Sequence, residues 1–434
     1  MSAQITISGT VRFKNKGVKD ISVTLKNTYD GATTDENGKY SFETSEKGNH
    51  ILFFSNPKFG EVEKTITISN AAIEANADLK EQISEIDAVV ISAGSIEASD
   101  KKRATTLLTP IDIYTTAGAN GQVTAALETL PGVQKIGETE GLFVRGGTGT
   151  ETKFFMDGNL VNNFFGNSIP GIKSMDRLNT SLFKGNVFSS GGYSAVYGQA
   201  LSSVLALESI DFPERNSIDL GISPIFVTVG FQNVDDEKTK SFGISASYSN
   251  LGLMTKVIKF NNTFTKAPES FGTNFNFRIK NKNGGILKYY GSFDTNKIGL
   301  QEESLEPNID FDNTNLTGQN TFHNLSFKQK FGKYLLNLGG SYTFNSNIID
   351  LNSIEQNIEI NPNTIQVKGN YFNAKATLER KINKISAIRS GIEFNQTNET
   401  TEVALSPNAI DFKDGITSVF AETDLGFSNN FSAK

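Results

Sequence analysis

From about residue 218 onward, apolar and polar positions alternate with a period of two, as in β-strands whose two faces meet unlike surroundings. Phe242, Ile244, Ala246 and Tyr248 oppose Ser241, Gly243, Ser245 and Ser247. Phe271, Thr273, Phe275, Phe277 and Ile279 oppose Gly272, Asn274, Asn276, Arg278 and Lys280, and 334–344, 371–379 and 388–395 follow the same rule. One apolar, aromatic face and one polar face over ~9–11 residues suits strands between lipid and a wet lumen. A soluble sandwich also alternates, with the opposite meaning. Aromatics near strand ends, and repetition up to residue 434 without a helical crossover, favour the membrane. The polar stretches Gln301–Gln319 and Asn345–Thr364 are expected as longer extracellular loops. Roughly ten strands can be counted, against about 22 in barrels with a plugged lumen. Lipid does not tolerate unpaired strand edges, so the pattern predicts a truncated barrel over 212–434 within a longer protein.

The front of the chain reads differently. Residues 5–69 hold the β-rich runs ITISGTVRF, ISVTLKN, KYSFETS, HILFFSN and EKTITIS, punctuated by Gly17, Asp30-Gly31, Asn37-Gly38 and Gly48-Asn49. They predict a small β-sandwich over 1–80, with Asn37-Gly38 as a type I′ hairpin turn needing positive φ at both residues. Polar, alanine-rich residues follow, and 81–106 reads as a linker that contains one isolated extended segment, Ile86–Ser92. An exposed β-prone heptapeptide is an aggregation liability, which a partner pairing by strand addition would explain. The other reading is the first strand of the next domain. Residues 107–211 are mixed α+β. Val123, Ala126, Leu127 and Leu130 stand at helical spacing in 122–130, with Pro131-Gly132 ending the helix. Short strands ending in glycine turns follow at 141–147, 153–158 and 181–185, and a closing strand at 203–208.

Composition narrows the chemistry. The 434 residues include 39 Gly and 33 Phe but neither Cys nor Trp. Hydrophobic residues make up 37%, and no run approaches the ~18 apolar residues of a membrane helix. Zero Cys removes disulfides, thiolate metal sites and Cys nucleophiles, and suits a chain that crosses an oxidising periplasm. A net charge of -6 without a basic block argues against nucleic acid as a partner. His50 and His323 stand far apart in strand-like sequence, so no zinc site or His-dependent triad is expected. Gly146–Lys153 fails as a phosphate loop because Lys153 is not preceded by Gly, and Asp35–Gly38 lacks the downstream ligands of a calcium loop. No enzyme activity, cofactor or metal is expected. Met1-Ser2-Ala3-Gln4 leads straight into strand-like sequence, without the basic and apolar regions of a signal peptide.

Six short pieces stand in order: LPGV (130–133), FVRGG (143–147), FFMDG (154–158), a strand ending in Lys184-Gly185, YSAVYG (193–198) and VLALES (204–209). Each is weak alone, but six in this order are a strong signal. Together they resemble the plug domain of TonB-dependent outer-membrane receptors. The chain departs from that pattern at Gln199–Val204, where an Ala-Gly-Gly-Val-Ile-like run is common. It also lacks the longer signatures of SusC-type glycan importers. Gly9-Thr10-Val11, Val23-Thr24-Leu25, and Thr34-Asp35 through Gly38 and Phe42 resemble the carboxypeptidase-regulatory-like (transthyretin-like) domain at the front of many Bacteroidetes receptors. Ile86, Asp87, Ala88, Val89, Val90, Ile91 and Ser92 resemble a TonB box, the segment by which TonB grips a transporter.

The resemblance implies a mainly β protein: sandwich, α+β plug, and part of a large antiparallel transmembrane barrel. The plug fills the lumen and must shift or partly unfold to open a path. Its motif residues are Arg145, Gly146, Gly147, Asp157, Gly158, Gly185, Tyr197 and Gly198. Arg145 is suited to bridging plug to wall carboxylates with its bidentate fork, or is a solvated turn arginine. Asp157-Gly158 is a tight turn without chemistry. Two loops are candidate apices that face the ligand: Thr148, Thr150 and Glu151 in one, Asn162, Asn163, Phe164 and Phe165 in the other. Exposed aromatics there would suit a hydrophobic or ring-bearing ligand, or pack on the wall. The implied function is TonB-dependent import across the bacterial outer membrane, with the N-terminal domain in the periplasm. Implied partners are TonB, outer-membrane lipid, an extracellular ligand (siderophore, peptide or oligosaccharide) and, in some such systems, a surface lipoprotein. A siderophore-like or other small nutrient is slightly favoured over a glycan. A non-transporting adhesion or sensory receptor on the same scaffold is the alternative, and an unrelated soluble multi-domain β protein the third reading.

Overall fold

The computed structural model describes residues 5–13, 16–26, 28, 30–55, 62–69, 71–79, 105–134, 141–167, 174–259, 263–383, 386–406, 408–428 and 431–433. Ile86–Ser92 and nearly all of the 81–106 linker lie outside them. The chain divides into two units, 1–94 and 95–434.

The first unit holds β1 (Ile5–Phe13), β2 (Lys16–Gly17), β3 (Ser22–Leu25), β4 (Gly31–Thr33), β5 (Lys39–Thr44), β6 (Gly48–Ser55), β7 (Val62–Ile68), β8 (Ile73–Glu74) and β9 (Ala77–Asp78). One sheet is β2-β1-β5 with β8 and β9 added parallel to β1, and the other is β4-β3-β6-β7. Alternation along the strands buries Ile7, Val11, Val23, Leu52 and Phe54 completely in one core, with the Tyr40 ring edge-on to Phe54 at 5.9 Å. The Tyr40 hydroxyl donates to the Ala75 carbonyl, and burial pushes its pKa up to about 12. Asn37-Gly38 is not a type I′ hairpin. It links β4 to β5, which lie in different sheets, and Gly38 is left-handed while Asn37 is not. The Asp35 carboxylate shapes the turn instead, accepting from the Asn37 and Lys39 amides.

The second unit begins with β10 (Thr105–Leu108), followed by helix α1 (Pro110–Thr115), helix α2 (Val123–Leu127), β11 (Val133–Gln134) and β12 (Phe143–Val144). Next come β13 (Thr152–Met156), β14 (Asn159–Val161), β15 (Phe183–Ser189) and β16 (Ser203–Ser209). Helix α2 falls where spacing placed it, but all five of its residues are buried. Helix α1 was not expected. Its signal is Thr109-Pro110-Ile111-Asp112, a capping box with Pro at the first helical position. The sheet order is β10-β15-β16-β13-β14, with β13 parallel to β16 and Gly185 at a bulge in β15.

An eleven-stranded antiparallel sheet follows among the described residues. Its strands are β17 (Ser217–Ile222), β18 (Phe226–Val234), β19 (Lys240–Asn250), β20 (Thr263–Lys280), β21 (Ile286–Glu303) and β22 (Phe311–Phe331). It continues with β23 (Tyr334–Glu355), β24 (Ile358–Lys381), β25 (Ala387–Val403), β26 (Ile410–Ser428) and β27 (Phe431–Ala433), and helix α3 (Gly252–Val257) lies between β19 and β20. Val229, Phe242, Ile244, Phe275, Leu338 and Ile392 are exposed on the outer face, while Ser241, Asn276, Asn324, Asn373 and Glu393 are buried on the inner one. The expected loops at 301–319 and 345–364 are mostly strand. Glu303 pairs with Phe311, Phe311 with Ile354, and Ile358 with Glu355. At ~3.4 Å per residue these strands outrun a ~30 Å hydrocarbon layer even when tilted. Their far ends are therefore polar although they are paired. Among the described residues no helix is long and apolar enough to cross a membrane.

Candidate functional site: the plug seated on the wall

The inner face of the long sheet meets 105–211 through a row of polar side chains. Asn159 Nδ2 donates to Asn324 Oδ1 at 2.8 Å, and Gly339 leaves room for it, since a Cβ there would lie 2.3 Å from Asn159 Oδ1. The backbone of Leu160 is held at both ends: its carbonyl accepts from Ser341 Oγ, and its amide donates to Asn373 Oδ1. Ser194 Oγ and the Ala195 amide donate to the Glu422 carboxylate at 2.9 and 2.8 Å, and Arg389 Nη1 donates to the same group.

At the centre is Lys375, a β24 residue whose side chain is 4% exposed. Its ammonium donates to the Val196 carbonyl and lies 3.7 Å from Glu393 Oε2. Phe155 and Tyr197 from the plug and Phe420 from β26 surround it at 5.2, 5.9 and 5.9 Å. Burial pushes the Tyr197 hydroxyl up to about 12, so it stays neutral. Gly198 follows because a Cβ there would sit 2.8 Å from Glu393 Oε2.

A second group ties the exit of the plug. Lys288 pairs with Asp211 and donates to the Ser209 carbonyl, while Arg278 donates to Ile210. Nearer the other end, Arg177 pairs with Asp294 at 3.2 Å and donates to the Asn163 carbonyl at 2.6 Å. These bonds fall on β20 to β26. In front of β18–β20 the inner face is small and polar (Gly230, Gly243, Ser245, Gly272, Asn274). A cavity of about 650 Å³ separates it there from Tyr114, Gly121 and Ser181 of the plug.

The sequence-expected residues meet different surroundings. Tyr197, Gly198 and the Asp157-Gly158 turn sit in the tied face, Asp157 accepting from both the amide and hydroxyl of Ser209. Arg145 does not bridge to the wall among the described residues. It is exposed, in a left-handed turn (φ 51) with Gly146 (φ 82), and the bridging falls to Arg177, Lys288 and Lys375. Phe164 and Phe165 are not exposed apex rings. Phe164 is 2% exposed and stacks on Phe154 at 4.2 Å, and Phe165 packs edge-on to both at 5.5 Å. Asn162 and Asn163 are half-buried beside them, whereas Thr148 and Thr150 are exposed in a 3-10 turn with Glu151. Gly147 is close to Ser202, where a Cβ would sit at 2.5 Å. Lys375, Arg177 and Glu422 carried no motif of their own. Only their place on the polar face of an alternating strand, or in a turn between plug strands, could have pointed to them.

A polar inner wall, an apolar outer face and a folded domain bonded to the inside define a plugged wall, the arrangement of outer-membrane receptors. Solved structures of that class share the fold. The ferric yersiniabactin uptake receptor FyuA from Yersinia pestis superposes with a TM-score of 0.51 at 11% identity, covering 76% of this chain and 63% of that one. The copper transporter OprC gives 0.53 at 10%, covering 75% and 60%. The pyoverdine outer membrane receptor FpvA from Pseudomonas aeruginosa PAO1 gives 0.55 at 9%, covering 75% and 54%. The chain thus spans less than two thirds of the length of each. Residues 7–91 match the CarboxypepD_reg-like domain family. No curated protein matches the chain in sequence. The fold is that of the TonB-dependent outer-membrane receptors, behind a CarboxypepD_reg-like domain.

Proposed function

We propose that this protein imports a small ligand across the bacterial outer membrane, driven by TonB pairing with Ile86–Ser92. The observation that carries this is the plug itself, a folded domain bonded to the polar inner face of a wall whose other face is apolar. Tethers made of single side chains can be released one after another under tension, and the cavity beside β18–β20 gives the plug somewhere to move. Siderophore-like or other small ligands fit better than glycans, in keeping with the uptake receptors that share the fold.

Residues 1–434 hold no cysteine, so with any cysteine elsewhere in the full-length protein replaced by serine, Val89→Cys is a unique thiol. In energised cells carrying the full-length gene, V89C should form a disulfide with a cysteine placed in the periplasmic domain of TonB. Absence of that cross-link, with the protein folded in the outer membrane, would refute TonB coupling and leave an adhesion or sensory receptor.

A further inference from the structure

The outer face of the wall carries a groove of about 570 Å³ across β23–β26. Leu336, Leu378, Ile392 and Val419 form its sides, and the small residues Ala376 and Ala421 leave its floor open. The register explains the shape: Leu336 faces Leu378, Leu378 faces Ser390, and Ser390 faces Ala421, so two small residues lie beside two leucines. One outward step below Leu378, ~7 Å at strand rise, Arg380 points the same way. Its guanidinium lies 5.6 Å from the Tyr334 ring, which stacks in turn on Phe331.

Lys333 joins them from the two-residue turn, where its carbonyl accepts from the Lys381 amide at 3.0 Å. Arg380, Lys333 and Lys381 are exposed, and among the described residues none pairs with a carboxylate. The charge is segregated along these strands. The short-turn ends of β20–β24 carry Lys280, Lys282, Lys330, Lys333, Arg380 and Lys381. The opposite ends of β21–β24 carry Glu302, Glu303, Asp310, Asp350, Glu355 and Glu359, with no cation in 298–315 or 346–367, although Lys266 stands at that end of β20.

We propose that this groove and the cations beneath it hold one anionic glycerophospholipid. An acyl chain lies between Leu336, Leu378, Ile392 and Val419, and the phosphate sits on Arg380 and Lys333. The planar guanidinium, oriented by stacking on Tyr334, offers two parallel donors to phosphate oxygens, and clustered cations at the membrane surface favour anionic headgroups. A second protein copy would need a far broader face than this groove. The inference rests on the outer-membrane barrel reading but not on import.

Native mass spectrometry of the full-length protein, offered dioleoylphosphatidylglycerol, dioleoylphosphatidylcholine or lipid A, tests it. Phosphatidylglycerol adducts should survive at least tenfold better than phosphatidylcholine adducts, and lipid A should not displace them. The double substitution R380Q/K333Q should lower retention at least tenfold, and A376F/A421F should do so with the charges intact. Folding is checked by mobility on unheated gels, and R380Q alone, at an exposed rim position, serves if the double variant misfolds. Equal retention of the two phospholipids, displacement by lipid A, or indifference to the substitutions would overturn the proposal. Failure to fractionate with the outer membrane would instead sink the barrel reading beneath it.

Discussion

Lys375 shows how a single residue can hold two domains together. Its charge is buried, so it is tolerable only while Glu393, the Val196 carbonyl and three aromatic rings surround it. Lys375→Met leaves Glu393, 3% exposed, without its cation, and breaking such a pair costs about 3–5 kcal/mol. The denaturation midpoint of the full-length protein should fall accordingly, and Lys375→Met with Glu393→Met together should recover much of the loss. An unchanged midpoint in the single variant would show that the cage carries no load. Phe164 poses the same kind of question. As a core ring its replacement by alanine should cost about 3–5 kcal/mol, whereas a ligand-facing ring would be lost without a change in stability.

Among elements, the strands of the wall make the sharpest demand, because their two faces require opposite chemistry. Val229→Arg places a charge on the apolar face and should destabilise the membrane-inserted form by about 2–4 kcal/mol if the site is near mid-bilayer. Ser245→Arg, in the neighbouring strand but facing the cavity, should be nearly neutral. Equal effects in a refolding titration into lipid vesicles would contradict the assignment of faces. Helix α1 depends on its cap. The Asp112 carboxyl is held below its usual pKa by the Thr109 hydroxyl and then by the Thr109 amide. A lowered folded pKa stabilises above the unfolded value and is lost as pH falls through the folded one. The difference in melting temperature between wild type and Asp112→Asn should therefore be full at neutral pH. It should close as pH drops below 3.8, the ordinary value for Asp.

At the scale of the molecule, the wall and the sandwich were legible because alternation by two is a backbone property that each strand repeats. Helix α2 was legible from spacing, and α1 only from its cap. The ties between plug and wall were not legible. Lys375 and Val196 are 179 positions apart, and Asn159 and Asn324 are 165. Nothing local distinguishes an inward lysine that meets a carbonyl from one that meets water. The same gap misplaced Phe164 and left Arg145 open between a bridge and a solvated turn. A paired-aromatic loop looks exposed until the strands that cover it are in place, and a turn arginine looks like a bridge until the wall bypasses it.

On the proposed mechanism the plug leaves the wall when TonB pulls. Asn159 is 2% exposed and bonded to Asn324, and with no cysteine in 1–434 and any elsewhere replaced by serine, Asn159→Cys is a clean reporter. In cells carrying the full-length gene, a membrane-impermeant maleimide should label N159C in energised cells. Labelling should cease with a protonophore or on deletion of Asp87–Ser92. Labelling that is the same in all three conditions would contradict displacement of the plug.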